Sequence, residues 1–321
     1  MADFVLSPNL PLAADTVIIG KKYADLLQKP LQNLNIRPLF VPDNPNVDTR
    51  LSGHADLSVF HAGGERLWLA PYLRETDLSK ALYEFGADTV YANIAQREEY
   101  PHDAQLNIAA LGRAFFYNPK VSYSPIAKYL TKAKGMYPLS IKQGYAKCSA
   151  LIVDERSIIS QDRGMTRAAA AAGMDALQIS PGHVVLDGFE YGFLGGAGFM
   201  ISRDVLCFTG VLDAHPDKER ILDFLSARGI KSLYLTGRPI FDIGSAIPLT
   251  EKYTAPGFDV KPSIRALCAY NITVLISFSV LSGLPWRPRA AVCCPDACIS
   301  VSCLDCCVRG LLAARACPHR F

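Results

Sequence analysis

From Ala55 onward the sequence repeats one order of elements: a strand, a tight turn, a second strand, a helix and a third strand. The first copy reads ADLSVF, the Gly-containing turn HAGGE, RLWLA, the helix TDLSKALYEFG and ADTVYAN. Thr76 is placed to cap that helix and Gly86 to close it. A Thr hydroxyl accepts a free N-terminal amide, and glycine tolerates the left-handed residue after the last turn. A second copy runs QLNIAAL, the Gly112 turn, AFFYN, SPIAKYLTKAKG and YPLSIKQ; a third runs SALIV, the DERS turn, SIIS, DRGMTRAAAAAG and MDALQIS. The fourth is GFMIS, the RD turn, VLCFTG, HPDKERILDFLSARG and IKSLYLTG. Corresponding first strands start roughly 45 to 50 residues apart, the repeat scale of propellers and arrays.

The two ends supply the missing pieces of one more unit. DTVIIG, the helix KKYADLLQKPLQNLN and the strand IRPLFVP form a back half, and FDIGSAIPL is strand material without its own helix. A circular array that pairs its first and last segments removes its open edges. The expectation for residues 1–253 is therefore an α/β fold, a five-fold pseudosymmetric α/β propeller of ββαβ units closed by pairing of the N- and C-terminal segments. An open α/β sheet of similar elements is the alternative.

Half of the 321 residues are hydrophobic, enough for a sizeable core. The 33 basic and 30 acidic residues are interspersed, which argues against nucleic acid as a partner. Asp3 stands where a secretion signal carries positive charge and prolines interrupt the apolar stretch, so a cytoplasmic location is expected.

The chain changes character near residue 255. Cys148 and Cys207 are the two cysteines before Cys268, and eight more lie between Cys268 and Cys317. No Glu follows Glu251 and no Lys follows Lys261. Residues 254–321 are expected to be an atypical Cys-rich tail, disordered or non-native, as a shift of reading frame near residue 265 would produce. Residues 266–286 carry no charge and are long enough to span a bilayer, so membrane attachment would rest on that stretch alone. The cysteine spacings in CCPDACISVSCLDCC lack the paired regularity of a zinc site.

In a ring of repeats, the segments entering each first strand converge on the centre, where polar groups from different units can meet. They are SGHADL with His54 and Asp56, DAQLN with Asp103 and Asn107, GYAKCS with Lys147 and Cys148, GFLGGAGF with Gly195 and Gly196, and FDIGSA with Asp242 and Ser245. His54 and Asp56 on an extended segment would share a side, letting the carboxylate orient the imidazole for acid/base work. The plainer reading is a capped turn. Cys148 beside Lys147 is the candidate nucleophile, since an ammonium favours the thiolate; a buried inert thiol is the plainer reading. Asp162, and Asp213 with His215, follow second strands and could reach the same centre, or could serve helix N-termini. The glycines from Gly192 to Gly198 precede a strand, so they are no dinucleotide fingerprint; they suit a tight bend or close approach to a ligand. No HExxH, GxSxG or Walker motif occurs before residue 255, so neither a metal nor a cofactor is expected.

The five-unit organisation, with GHADLSVF, YPHDAQLNIAALG, QGYAKCS, EYGFLGGAGF, FTGVLDAHPD and DIGSAIPL, resembles an uncharacterised bacterial domain family with the guanidino-group-modifying-enzyme fold, that of arginine deiminases and amidinotransferases. The resemblance covers nearly all of residues 1–253. It implies a small guanidino or amidino ligand and, if the chain is catalytic, hydrolase- or amidinotransferase-like chemistry at a C–N bond. In the characterised enzymes a C-terminal Cys attacks the guanidinium carbon, a His acts as acid/base and carboxylates hold the cation. DIGSAIPL occupies the Cys-bearing place and contains no cysteine. The expected catalytic set is therefore His54, Asp56 and Cys148, with Asn107, Lys147, Asp162, Gly195, Gly196, Asp213, His215, Asp242 and Ser245 around the ligand. The alternative is a binding protein or degenerate enzyme that keeps its pocket. Oligomeric state leaves no mark in the sequence.

Overall fold

The computed structural model describes residues 3–252. The expectations for residues 254–321, including the apolar stretch 266–286, lie outside them. Strand β1 (Ala14–Gly20), helix α1 (Ala24–Asn33) and β2 (Arg37–Val41) come first. The first complete unit is β3 (Val59–His61), β4 (Arg66–Leu69), α2 (Asp77–Phe85) and β5 (Asp88–Tyr91). The next is β6 (Ala109–Leu111), β7 (Ala114–Tyr117), α3 (Ser124–Lys132) and β8 (Tyr137–Ser140). A single turn, α4 (Ala146–Ser149), leads into β9 (Leu151–Asp154), β10 (Ser157–Ser160), α5 (Arg163–Ala171) and β11 (Asp175–Gln178). The last unit is β12 (Gly198–Ser202), β13 (Val205–Phe208), α6 (Lys218–Ser226) and β14 (Lys231–Tyr234), and β15 (Ile247–Glu251) follows.

These strands form five three-stranded sheets. In four of them, the middle strand runs antiparallel to the first, through a short turn, and parallel to the third, through the helix. A parallel pair needs such a crossover, which explains why every unit carries one helix. The fifth sheet takes strands from both ends of the described chain: β1 pairs antiparallel with β15, Ile18 opposite Ile247, and parallel with β2.

Alternate residues of one strand enter different cores, as a pleat with two apolar faces requires. On β4, Leu67 and Leu69 pack with Ile18 of β1 and Leu82 of α2, while Trp68 packs with Phe115 of β7 and Leu130 of α3. Phe116 packs with Ile158 of β10 and Met165 of α5. Ile159 joins Phe208 of β13 and Ile221 of α6, and Cys207 joins Val17 of β1 and Leu27 of α1. Each hydrophobic cluster thus joins two sheets and one helix, and the succession returns to the sheet where it began.

The helix ends follow the sequence. The Thr76 hydroxyl accepts from the Ser79 amide and Gly86 takes φ 82° after α2. The strand entries differ from expectation. ADLSVF, read as a strand, opens with a 3-10 turn over Ala55–Leu57, and only Val59–His61 is strand. SALIV likewise yields Ser149 to the α4 turn. The amides of Leu57 and Ser58 are satisfied by the carbonyls of His54 and Ala55, so the buried backbone closes on itself before joining a sheet.

Candidate functional site

The turns that enter the first strands bring the polar side chains together. His54, Asp56 and Cys148 each retain 2% of their exposure, Lys147 5%, Asp242 2%, and Asn107 and Ser245 none. Ligand-type atoms of His54, Asp56 and Cys148 lie within 4.8 Å of one another. The residues expected to be catalytic thus share one buried cluster. They do so by a route other than the expected one: Asp56 sits in the 3-10 turn, so the two-residue spacing on an extended strand does not apply.

The Cys148 thiol donates to Asp56 Oδ2 at 2.9 Å. Asn107 holds the α4 turn from outside, its Oδ1 accepting from the amides of Lys147 (2.7 Å) and Cys148 (3.3 Å), and its Nδ2 lying 3.4 Å from Cys148 Sγ. Lys147 Nζ donates to Ser245 Oγ at 2.7 Å. Ser245 has φ 62°, a left-handed conformation disfavoured for a residue with a side chain. Asp242 fixes the same loop, its Oδ2 accepting from the Phe193 amide (2.8 Å) and its Oδ1 from the Gly244 amide (2.9 Å). Gly244 must be glycine for space as well, because a Cβ there would fall 2.5 Å from the His54 Cβ.

Burial dominates the electrostatics. It raises the Asp56 carboxyl from 3.8 to about 7, against the thiol hydrogen bond and the nearby Lys147 ammonium, which both favour the carboxylate. Burial pushes the Cys148 thiol well above its ordinary value, and the charges of Asp56 and Asp242 add to that. It pushes Lys147 down, opposed by Asp56 and Cys148, and it pushes His54 down, opposed by Asp242. One oxygen of Asp56 (Oδ1) and Nε2 of His54 are buried without a hydrogen-bond partner. A cavity of about 10 Å³, room for about one water, touches Asp56 and Lys147 between Val59, Phe60 and Ile247.

Other candidates are held elsewhere. Asp162 caps α5, its Oδ1 accepting from the Met165 amide at 2.7 Å. Exposed Asp213 pairs with Lys218 at 2.8 Å. His215 is buried against His183, ring centroids 5.3 Å apart, and accepts from the Asp217 amide. For these three, service to a helix N-terminus or its first turn is what the sequence pattern encodes. Gly195 and Gly196 border the site and pack tightly against protein: a Cβ on Gly195 would meet the Cys148 carbonyl oxygen at 2.5 Å, and one on Gly196 would meet Asp242 Oδ1 at 1.9 Å.

Two tyrosines beside the site were not singled out from the sequence. The Tyr145 hydroxyl donates to Asp103 Oδ2 at 2.5 Å, and its position two residues before Lys147 in a polar entry segment was the available signal. Tyr23 lays its ring 6.4 Å from the His54 ring, and nothing in its helical sequence marks it.

No curated protein matches the sequence. Among solved structures, the chain is similar to an amidinotransferase from Microseira wollei described in the saxitoxin biosynthetic pathway, with 12% identity over 78% of this chain and 98% of that one and a TM-score of 0.48. It is similar to inosamine-phosphate amidinotransferase from Streptomyces griseus, with 10% identity over 79% and 98% of the two chains and a TM-score of 0.48. It is also similar to agmatine deiminase from C. jejuni, with 11% identity over 72% and 90% and a TM-score of 0.41. A family model matches residues 18–247, and the chain belongs to that family of unknown function, DUF6873.

Proposed function

We propose that the five sheets close into a five-fold α/β propeller of ββαβ units, and that its central cluster binds a small cationic guanidino or amidino compound and cleaves one of its C–N bonds. The observation that carries this reading is the Cys148 thiol donating to Asp56 at 2.9 Å inside a cluster completed by His54. The hydrophobic clusters that pass from sheet to sheet and back support the ring, and the sequence resemblance supports the substrate class. Asp56, pushed up to about 7, is matched to general-base work near neutral pH. It takes the thiol proton as Sγ bonds to the guanidinium carbon, and gives that proton to the nitrogen that leaves. His54, kept neutral by burial, then accepts a proton from the water that hydrolyses the thiouronium. Asp242 adds negative charge on the side of the cation, and free Cys148 and Cys207 suit a cytoplasmic setting.

One observation favours a second reading, a non-catalytic binding protein or degenerate enzyme. Lys147 already places a buried ammonium among these carboxylates, bonded to Ser245 in the segment where the resemblance implies a Cys. A resident cation there competes with a cationic substrate.

The test is a thermal-shift screen of the full chain against arginine, agmatine, methylated arginines, citrulline and creatine-like compounds, because a ligand that binds the native state raises its apparent stability. Ligands that shift are then assayed for ammonia, amine or urea release. Turnover lost in both Cys148→Ala and His54→Ala is expected. Turnover unchanged in Cys148→Ala would end the nucleophilic reading. Binding without turnover, tightened by Lys147→Met, would establish the second one.

A further inference from the structure

We propose that His54, Asp56 and Cys148 form a binding site for a soft divalent cation, with zinc the best match, and that a bound cation and a reactive Cys148 exclude one another. The metal site stands on the geometry alone; only its consequence for turnover rests on the guanidino reading above.

The three side chains offer one nitrogen, one oxygen and one sulfur, a donor set that favours zinc over magnesium or calcium, which prefer oxygen alone. Their donor atoms already lie within 4.8 Å of one another, and ligands around tetrahedral zinc stand roughly 3.3–3.8 Å apart, so small side-chain movements complete the site. Independent of that proximity, Asp56 Oδ1 and His54 Nε2 are buried with no hydrogen-bond partner. Leaving a polar group unmade in an interior is costly, and two such groups beside a thiol mark a place where something is meant to bind. The nearby Lys147 ammonium donates to Ser245 Oγ and is a hydrogen-bond partner of neither atom.

Charge supports a cation over a water molecule. With a divalent ion, the Cys148 thiolate and the Asp56 carboxylate sum to zero with the metal, and Lys147 balances Asp242. On binding, the Cys148 S–H bond breaks, its proton leaves to solvent, an S–metal bond forms and the ion gives up water ligands. The sulfur lone pair that would attack carbon is then committed to the metal. Three protein ligands leave a fourth position open, as in zinc sites that also carry water or substrate.

The experiment uses the full chain with its eight cysteines from Cys268 to Cys317 replaced by serine, so that thiolate signals come from Cys148 or Cys207. Cobalt(II) is added to the folded protein and, separately, during refolding, so that slow entry into a closed cluster cannot hide the site. A thiolate-to-cobalt charge-transfer band, displaced by zinc, is expected. Cys148→Ala abolishes it and Cys207→Ala leaves it unchanged. His54→Ala weakens binding by more than the roughly 10–100-fold that losing a supporting group costs. Circular dichroism confirms that each variant folds. No band under either loading, or a band that survives in Cys148→Ala, overturns the proposal. The assay for turnover is run in chelator and in zinc: cobalt binding without turnover of any guanidino compound keeps the metal site and sinks the guanidino reading, whereas turnover indifferent to zinc sinks the mutual exclusion.

Discussion

Replacing Asp56 by Asn should stabilise the protein at pH 8 and change little at pH 4. Asp56 has its carboxyl raised from 3.8 to about 7, so between about pH 4 and 7 the folded state holds a proton that the unfolded state has lost. Stability therefore falls as pH rises through that window, at about 1.4 kcal/mol per pH unit, and the loss is complete above the folded value. Roughly three units give about 4 kcal/mol at pH 8. Asn removes that cost but weakens the bond accepted from Cys148, worth about 1 kcal/mol, which leaves a net gain of about 3 kcal/mol. For a domain of this size that is roughly 6–12 °C in Tm. Lys147 loses a counter-charge in this variant, so Asp56→Asn is measured alone and with Lys147→Met, where the coupling between the two sites can be separated. Denaturant unfolding at pH 4, 6 and 8 is the assay. A variant less stable than the parent at pH 8, or a difference independent of pH, would refute the claim that burial holds Asp56 protonated.

Four further outcomes are expected. Asp162→Ala should cost about 1 kcal/mol in denaturant unfolding, the worth of an N-cap, while leaving ligand binding intact; loss of binding in a folded variant would return Asp162 to the site. Gly196→Ala should destabilise the protein in denaturant unfolding, because its Cβ would displace the Asp242 carboxylate from the Phe193 and Gly244 amides, and unchanged stability would contradict the packing of that loop. Alkylation of native protein at pH 7 followed by peptide mass mapping should leave Cys148 and Cys207 unlabelled until denaturant is added, both thiols being buried and pushed up in pKa; rapid labelling of Cys148 alone would mean that its turn opens. Lys147→Met should raise the thermal shift produced by guanidinium compounds, by removing a competing cation from among the carboxylates, and a smaller shift would show that Lys147 helps hold the ligand.

The repeat was legible because its signals are local. Thr76, Gly86 and Asp162 act on amides and dihedrals within their own helices, and they do in the fold what their positions in the sequence require. The join of the two ends was legible for a different reason, since FDIGSAIPL and DTVIIG are each incomplete as units and edges seek partners. The entry turns were not legible. A three-residue 3-10 turn such as Ala55–Leu57 is too short to impose a period, and its apolar residues look like the start of the strand that follows.

The cluster itself lies between these cases. Position within the repeat nominated His54, Asp56, Asn107, Lys147, Cys148, Asp242 and Ser245, and those residues do meet, but the contacts that define their chemistry join distant parts of the chain. Asp56 and Cys148 are 92 residues apart, and Lys147 and Ser245 are 98. No periodicity encodes which carboxylate a thiol will face. Where the sequence offered two uses for an acidic residue, distance to a free amide decided. Asp162 had the Met165 amide three residues away and was spent on it, whereas Asp56, whose Oδ2 takes the Cys148 thiol, keeps Oδ1 unpaired in the interior. A local partner satisfies a carboxylate cheaply. Polar groups left without one are therefore the ones to test for function, and among the described residues two of them, Asp56 Oδ1 and His54 Nε2, belong to the residues grouped with Cys148.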